Sequence, residues 1–211
     1  MTETHRGHFM TFEGGDGSGK STQMRILADR LRELGREVVE TVEPGGTAIG
    51  NQIRRILLDR ANIHLCPMSE MLLYFAARAQ NLEELILPAL KRGAIVLADR
   101  YTDSTLAYQG AGRGLGQEMV LQMHQVACRG VWPQVTLYLD IEPEIGLARR
   151  HASEQVNRLD VETLEFHRRV RETYLGLAQA YPDRIKVIDA SGVIDDIALE
   201  VWAIASRTFS L

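Results

Sequence analysis

The chain lacks most of what would set it apart from ordinary globular enzymes. Only Cys66 and Cys128 occur among its 211 residues. That is too few for a disulfide framework, and they have no metal-ligand spacing, so a reducing compartment is expected. No run approaches the roughly 18 apolar residues of a membrane span, and MTETHRGHF has no apolar stretch like that of a signal peptide. The cytoplasm is the expected location, with no membrane partner. Basic charge is not in excess: 24 Lys and Arg stand against 28 Asp and Glu, a formal net charge of −4. That leaves no footprint for nucleic acid. Internal repeats and low-complexity segments are also missing.

What is present suits one compact domain over residues 1–211. Hydrophobic residues make up 45% and charged residues 25%, values that exclude disorder. Residues 1–7 read as a frayed leader in which His5, like His8 just beyond it, is solvent-exposed rather than metal-bound.

Short apolar runs alternate with helical patterns, the signature of repeated βα units around a mostly parallel sheet. Strands are predicted at Phe9–Phe12, Glu37–Val42, Ala94–Ala98, Val135–Ile141 and Ile185–Ile188. Met24, Leu27, Leu31 and Leu34 recur at helical spacing, and Gly35 can end that helix. Ile53, Ile56 and Leu57 mark a second helix, and Met71, Phe75, Arg78 and Leu82 form a mixed third face. Phe166, Val170, Tyr174, Leu177 and Tyr181, then Ile197, Val201 and Ile204, are predicted core faces.

Gly14-Gly15-Asp16-Gly17-Ser18-Gly19-Lys20-Ser21 fits G-x-x-x-x-G-K-[ST] between an apolar strand and an amphipathic helix, the context a P-loop requires. Glycines let backbone N–H groups converge on phosphate oxygens, and the helix N-terminus adds partial positive charge. Lys20 supplies a full charge for the β- and γ-phosphates of ATP. Ser21 supplies a hydroxyl for Mg²⁺, and Thr22 completes the nucleotide-binding run. The expected fold is therefore α/β, a three-layer P-loop NTPase fold with a five-stranded parallel sheet flanked by helices, plus a small helical lid. No N-K-x-D or LSGGQ-like segment is present, and Asp189-Ala190-Ser191-Gly192 follows the last strand, too late for a GTPase switch. Small-molecule phosphoryl transfer leads.

Two further segments end strands on the ligand-binding edge of such a sheet, Glu43-Pro44-Gly45-Gly46-Thr47 and Asp99 to Gly110. In order, FEGGDGSGKST, EPGGT, YFAARAQ and DRYTDSTLAYQG closely resemble bacterial thymidylate kinases, over about Phe9 to Ser191. The resemblance implies transfer of the γ-phosphoryl group of ATP to dTMP, with Mg²⁺, by a homodimer. Met71, Met119 and Met123 could supply an apolar interface or pack in the core.

By the same resemblance, Glu43, Arg54 and Arg100 belong to the acceptor side, the two arginines as phosphate ligands. Phe75 and Arg78 are three apart on a helix, where a ring can stack on the pyrimidine and a guanidinium can donate to O4. Ser104, Thr105 and Gln109 resemble the positions lining the thymine edge, and Tyr108 the ring that crowds the sugar 2′-carbon. Asp16 matches the carboxylate that fixes the 3′-hydroxyl. Asp99 can meet the metal through water, and Glu13 is the alternative for electrostatic support.

Phosphoryl transfer also needs positive charge on the migrating group and exclusion of water. The predicted lid, about residues 147–160, carries Arg149, Arg150 and Arg158, while the P-loop itself has no arginine. Arg168, Arg169 and Arg171 beyond it read as a solvated helix face. Two departures from the family pattern stand out: Val42 where relatives often have arginine, and Asn157 where they commonly carry Asp before the lid arginine. The rival enzyme reading is a deoxynucleoside kinase acting on an uncharged hydroxyl, which the EPGGT loop and Arg54 oppose. A nucleotide-binding module without catalysis is the rival from another class.

Overall fold

The computed structural model describes residues 7–152 and 157–211. His5 and part of the predicted lid lie outside them. Five parallel strands, β1 (His8–Glu13), β2 (Val38–Val42), β3 (Ile95–Asp99), β4 (Val135–Asp140) and β5 (Ile185–Asp189), form one sheet in the order β2-β3-β1-β4-β5. Each predicted strand is present to within one or two residues.

Alternation along the strands explains the layers. Phe9, Val96 and Ala98 point to one face, where they pack with residues of α3 (Pro67–Asn81), α6 (Gln117–Cys128) and α8 (Leu164–Ala180). Met10, Phe12, Ile95 and Leu97 point to the other, against α1 (Lys20–Glu33) and α9 (Ile194–Phe209). Two apolar faces need two covering helix layers.

The core stripe Met71, Phe75, Arg78 and Leu82 is fully buried, and Phe166, Val170, Tyr174 and Leu177 are buried as expected. Tyr181 and Leu34 are not: they are 47% and 56% exposed. Each follows the last helical residue, where the 3.6-residue phase no longer holds; Tyr181 instead faces the Arg184 guanidinium. Ile56 on α2 (Ala48–Leu58) is half exposed beside a buried Leu57. Met71 belongs to the core, whereas Met119 on α6 is exposed. Among the described residues, no helix is long and apolar enough to cross a membrane.

Strand register sets up the site. Phe12 pairs with Asp99 in β1–β3, and Val42 pairs with Asp99 in β2–β3. The carboxyl ends of three strands are therefore level, and Glu13, Glu43 and Arg100 leave the sheet at one edge. The Glu43 N–H donates to the Asp99 carbonyl, and the Arg100 N–H to that of Phe12.

Candidate active site

A cleft of about 340 Å³ opens at this edge, bounded by the P-loop, the β2 and β3 ends, α3, and α7 (Pro143–His151). At its donor end Gly14, Gly17 and Gly19 have φ of 143°, 75° and 88°, conformations that other residues rarely adopt. Gly17 also lies so close to α7 that a Cβ there would run into the Gly146 carbonyl, and one on Gly146 would meet the Asp16 carbonyl. This glycine pair lets α7 rest directly on the P-loop. As a result Arg149 and Arg150, one turn further along α7, reach the cleft wall.

Lys20 is 7% exposed, and its Nζ donates to the Gly14 and Gly15 carbonyls at 3.1 and 2.8 Å. Burial, together with the Arg100 charge, lowers its pKa to about 8. An ammonium held this way is poised for added negative charge, because phosphate oxygens would replace two neutral carbonyls.

Ser21 Oγ donates to Asp99 Oδ2 at 2.6 Å, and both residues line the cleft. Glu13, the alternative carboxylate, is fully buried and accepts from the Tyr101 N–H, the Ser104 hydroxyl and the Tyr174 hydroxyl. Burial raises its pKa to about 7, with Asp103 adding to the effect. It braces the strand end from beneath. Hydroxyl and carboxylate oxygens are the hard ligands that Mg²⁺ takes. Among the described residues there is no cluster of three or more His, Cys, Asp or Glu that could hold a metal by itself.

At the acceptor end Arg100 stands at φ 75°, a left-handed conformation that costs a non-glycine residue roughly 1–3 kcal/mol. Its Nη2 donates to Asp16 Oδ1 at 3.0 Å and its Nη1 to Ser104 Oγ at 3.1 Å. Burial would raise the Asp16 pKa, but the charges of Arg100 and then Lys20 outweigh it and hold the carboxyl below its ordinary range. Tyr108 reaches the same pair, its hydroxyl 3.3 Å from Arg100 Nη2. Arg54 is tied to the Pro44 carbonyl at 2.7 Å and lines the cleft beside Val42, Glu43 and Pro44.

Arg78 is 1% exposed and held on three sides: by Glu43 Oε2, by Thr105 Oγ1 at 2.9 Å and by the Tyr101 carbonyl at 3.0 Å. Glu43 is itself steadied by Asn81. This answers the cost of burying a guanidinium and leaves two of its five N–H groups for a ligand. Gln109, in the π-helical stretch Leu106–Gly112, donates its amide to Glu70 Oε1 at 2.8 Å.

Two sequence expectations need correction. Phe75 is 1% exposed and packs in the core beneath Arg78, whereas the α3 ring that lines the cleft is Tyr74, one turn before Arg78. Both i+3 and i+4 neighbours share a helix face, so spacing alone did not choose between them; the apolar stripe through Phe75 marks the core-facing side. Arg158 does not join Arg149 and Arg150 at the cleft. Its Nη2 donates to the buried Glu70 carboxylate at 2.6 Å and its Nε to the Leu57 carbonyl. Ser104 and Thr105 line the cleft, but with their hydroxyls bonded to Glu13 and Arg78. Sequence reading also missed Glu70 and Asp160; the latter accepts from Arg150 Nε at 3.1 Å.

Comparison with known proteins bears on this geometry. The family model described as thymidylate kinase matches residues 12–201. A thymidylate kinase of Pelobacter propionicus is 50% identical over 203 residues, 93% of each chain. One from Thermomicrobium roseum is 51% identical over 196 residues, 92% of each. The crystal structure of thymidylate kinase from Ehrlichia chaffeensis superposes with a TM-score of 0.78 at 33% identity, covering 95% of this chain and 98% of that one.

Proposed function

The chain belongs to the thymidylate kinase family and is a phosphotransferase acting on dTMP; from that premise we propose how its residues divide the work. The family implies ATP as phosphoryl donor. Backbone N–H groups of Gly14 to Gly19, with Ser21 and Thr22, cradle its phosphates, and Lys20 meets the β- and γ-oxygens. Ser21 holds Mg²⁺ with Asp99 behind it, and the ion neutralises charge on the phosphates when bound. The 2.6 Å contact between the two side chains supports that pairing.

Arg54 and Arg100 receive the 5′-phosphate of dTMP, Asp16 the 3′-hydroxyl, and Tyr108 leaves no room for a 2′-hydroxyl. Tyr74 stacks on the pyrimidine. Arg78 donates to O4 while the Gln109 carbonyl accepts from N3–H. That donor and acceptor pair suits thymine and mismatches cytosine, which offers an amino group and a bare ring nitrogen at those positions. Glu43, Ser104 and Thr105 act by holding arginines in place. Arg149 and Arg150 stabilise the migrating phosphoryl group from α7, and Arg158 orders the segment that follows.

The arrangement is read as a single domain with a lid at about residues 147–160. It would work as a cytoplasmic homodimer, for which exposed Met119 and Val126 on α6 offer apolar surface.

The observation that carries this reading is the trio of positive groups, Arg54, Arg100 and Lys20, converging on one cleft. An acceptor already bearing phosphate needs that charge, whereas an uncharged nucleoside does not. ADP formation from ATP and Mg²⁺ with each nucleoside monophosphate in turn tests it: dTMP should give fast turnover and dCMP little. Equal rates with all of them would contradict the base assignment.

A further inference from the structure

Glu70 is a fully buried carboxylate outside the cleft lining, yet it holds three partners from distant parts of the chain. Gln109 donates to its Oε1 at 2.8 Å, Arg113 donates to both oxygens at 3.2 and 3.3 Å, and Arg158 donates to Oε2 at 2.6 Å. Arg113 is shared with Glu162, 2.7 Å away. Two carboxylates and two guanidiniums thus close a charge-balanced cluster around the buried Glu70.

The cluster has a directional consequence. A carboxylate only accepts hydrogen bonds, so the end of Gln109 facing Glu70 must be the NH₂ group. The carbonyl is the end left for the cleft. Burial would raise the Glu70 pKa, but the Gln109 and Arg113 bonds outweigh it, so the group stays an acceptor at neutral pH. Arg158 supplies the shortest of these bonds from within the predicted lid segment.

We infer that Glu70 is a positioning residue for base selection, fixing the Gln109 amide so that its carbonyl reads N3–H, and that Arg158 sustains this selection through Glu70 without touching the base. Lid-side anchoring and base readout then share one carboxylate. The inference rests on the proposed thymine contacts of Arg78 and Gln109.

The test compares kcat/KM for dTMP and for dCMP, with ATP and Mg²⁺, in wild type, Glu70→Gln and Arg158→Gln. In Glu70→Gln the new amide can donate to the Gln109 carbonyl and turn it, so the dTMP to dCMP ratio should fall by about tenfold or more. In Arg158→Gln the carboxylate loses its shortest bond and one of its two guanidiniums and can shift away from Gln109, so the ratio should fall as well, along with kcat. An unchanged ratio in Arg158→Gln, with both nucleotides slowed equally, would overturn the coupling and leave Arg158 a merely structural group. Should Glu70→Gln not fold, Arg113→Gln provides the second arm with the same expected fall and the same contrary result. The wild-type ratio reports on the base assignment separately: no preference for dTMP would overturn that assignment and this inference together.

Discussion

The phosphate cradle at the donor end of the cleft comes from one continuous run, Gly14 to Thr22, whereas the acceptor end gathers side chains scattered from Asp16 to Gln109. The donor end works through backbone geometry, which glycine spacing dictates. The acceptor end works through fixed guanidiniums, each steadied by a partner: Arg100 by Asp16, Arg78 by Glu43, and Arg54 by the Pro44 carbonyl. Damage at the donor end should therefore strike catalysis for any acceptor, while damage at the acceptor end should strike affinity for one substrate.

The largest effect is expected at Lys20. Lys20→Ala should lower kcat by about 10²–10³-fold with the fold intact, the loss typical of one preorganised charge. Circular dichroism and steady-state rates would check this, and an unchanged kcat in a folded variant would refute it. Arg149→Ala and Arg150→Ala should lose kcat on about the same scale with little change in KM, because charge that acts on the migrating group acts in the transition state. Arg158→Ala should cost less kcat than either, since its guanidinium is turned to Glu70. If all three variants keep wild-type kcat, the donor end has no lid contribution.

A middle-sized effect separates the two aromatic neighbours of Arg78. Tyr74→Ala should raise KM for dTMP by roughly tenfold, in line with about 1–3 kcal/mol for stacking on a base. Phe75→Ala should instead destabilise the fold by about 3–5 kcal/mol with KM for dTMP nearly unchanged. Arg78→Ala should raise KM for dTMP and leave that for ATP near wild type. Chemical denaturation together with steady-state kinetics distinguishes these outcomes, and the reverse assignment would put Phe75 back at the base.

The smallest effect is a proton. The Lys20 pKa is lowered to about 8 in the folded protein, against 10.5 for an ordinary lysine. The ammonium therefore binds its proton less tightly folded than unfolded, and this group's cost to stability is fully present below pH 8 and fades between pH 8 and 10.5. Phosphates added beside it favour the charged form, so ATP binding at pH 8.5 should take up most of one proton. Titration calorimetry in two buffers of different ionisation enthalpy measures that uptake, and its absence would mean Lys20 is already fully charged.

The layered fold and the phosphate cradle were legible because their signals are local. Alternating strands, 3.6-residue stripes and the run Gly14 to Ser21 each carry their meaning within a few neighbours. Helix ends were less so, as exposed Leu34 and Tyr181 attest. At the acceptor end the family pattern gave Arg54, Arg78, Arg100 and Gln109, all on the cleft wall. It pointed to Phe75, which is buried in the core, while Tyr74 lines the cleft, because helix spacing permits both. Glu70 and Asp160 carried no signal in sequence: a carboxylate on a helix reads as a solvated charge until the chain brings Arg113 and Arg158, or Arg150, to meet it.

The division into a general donor end and a phosphate-demanding acceptor end is tested most directly by comparing dTMP with thymidine as acceptor at saturating ATP and Mg²⁺, following ADP release. Thymidine lacks the 5′-phosphate that Arg54 and Arg100 are proposed to bind, so dTMP should drive ADP formation and thymidine should support none above the background hydrolysis of ATP. Thymidine turnover comparable to that of dTMP would contradict the account.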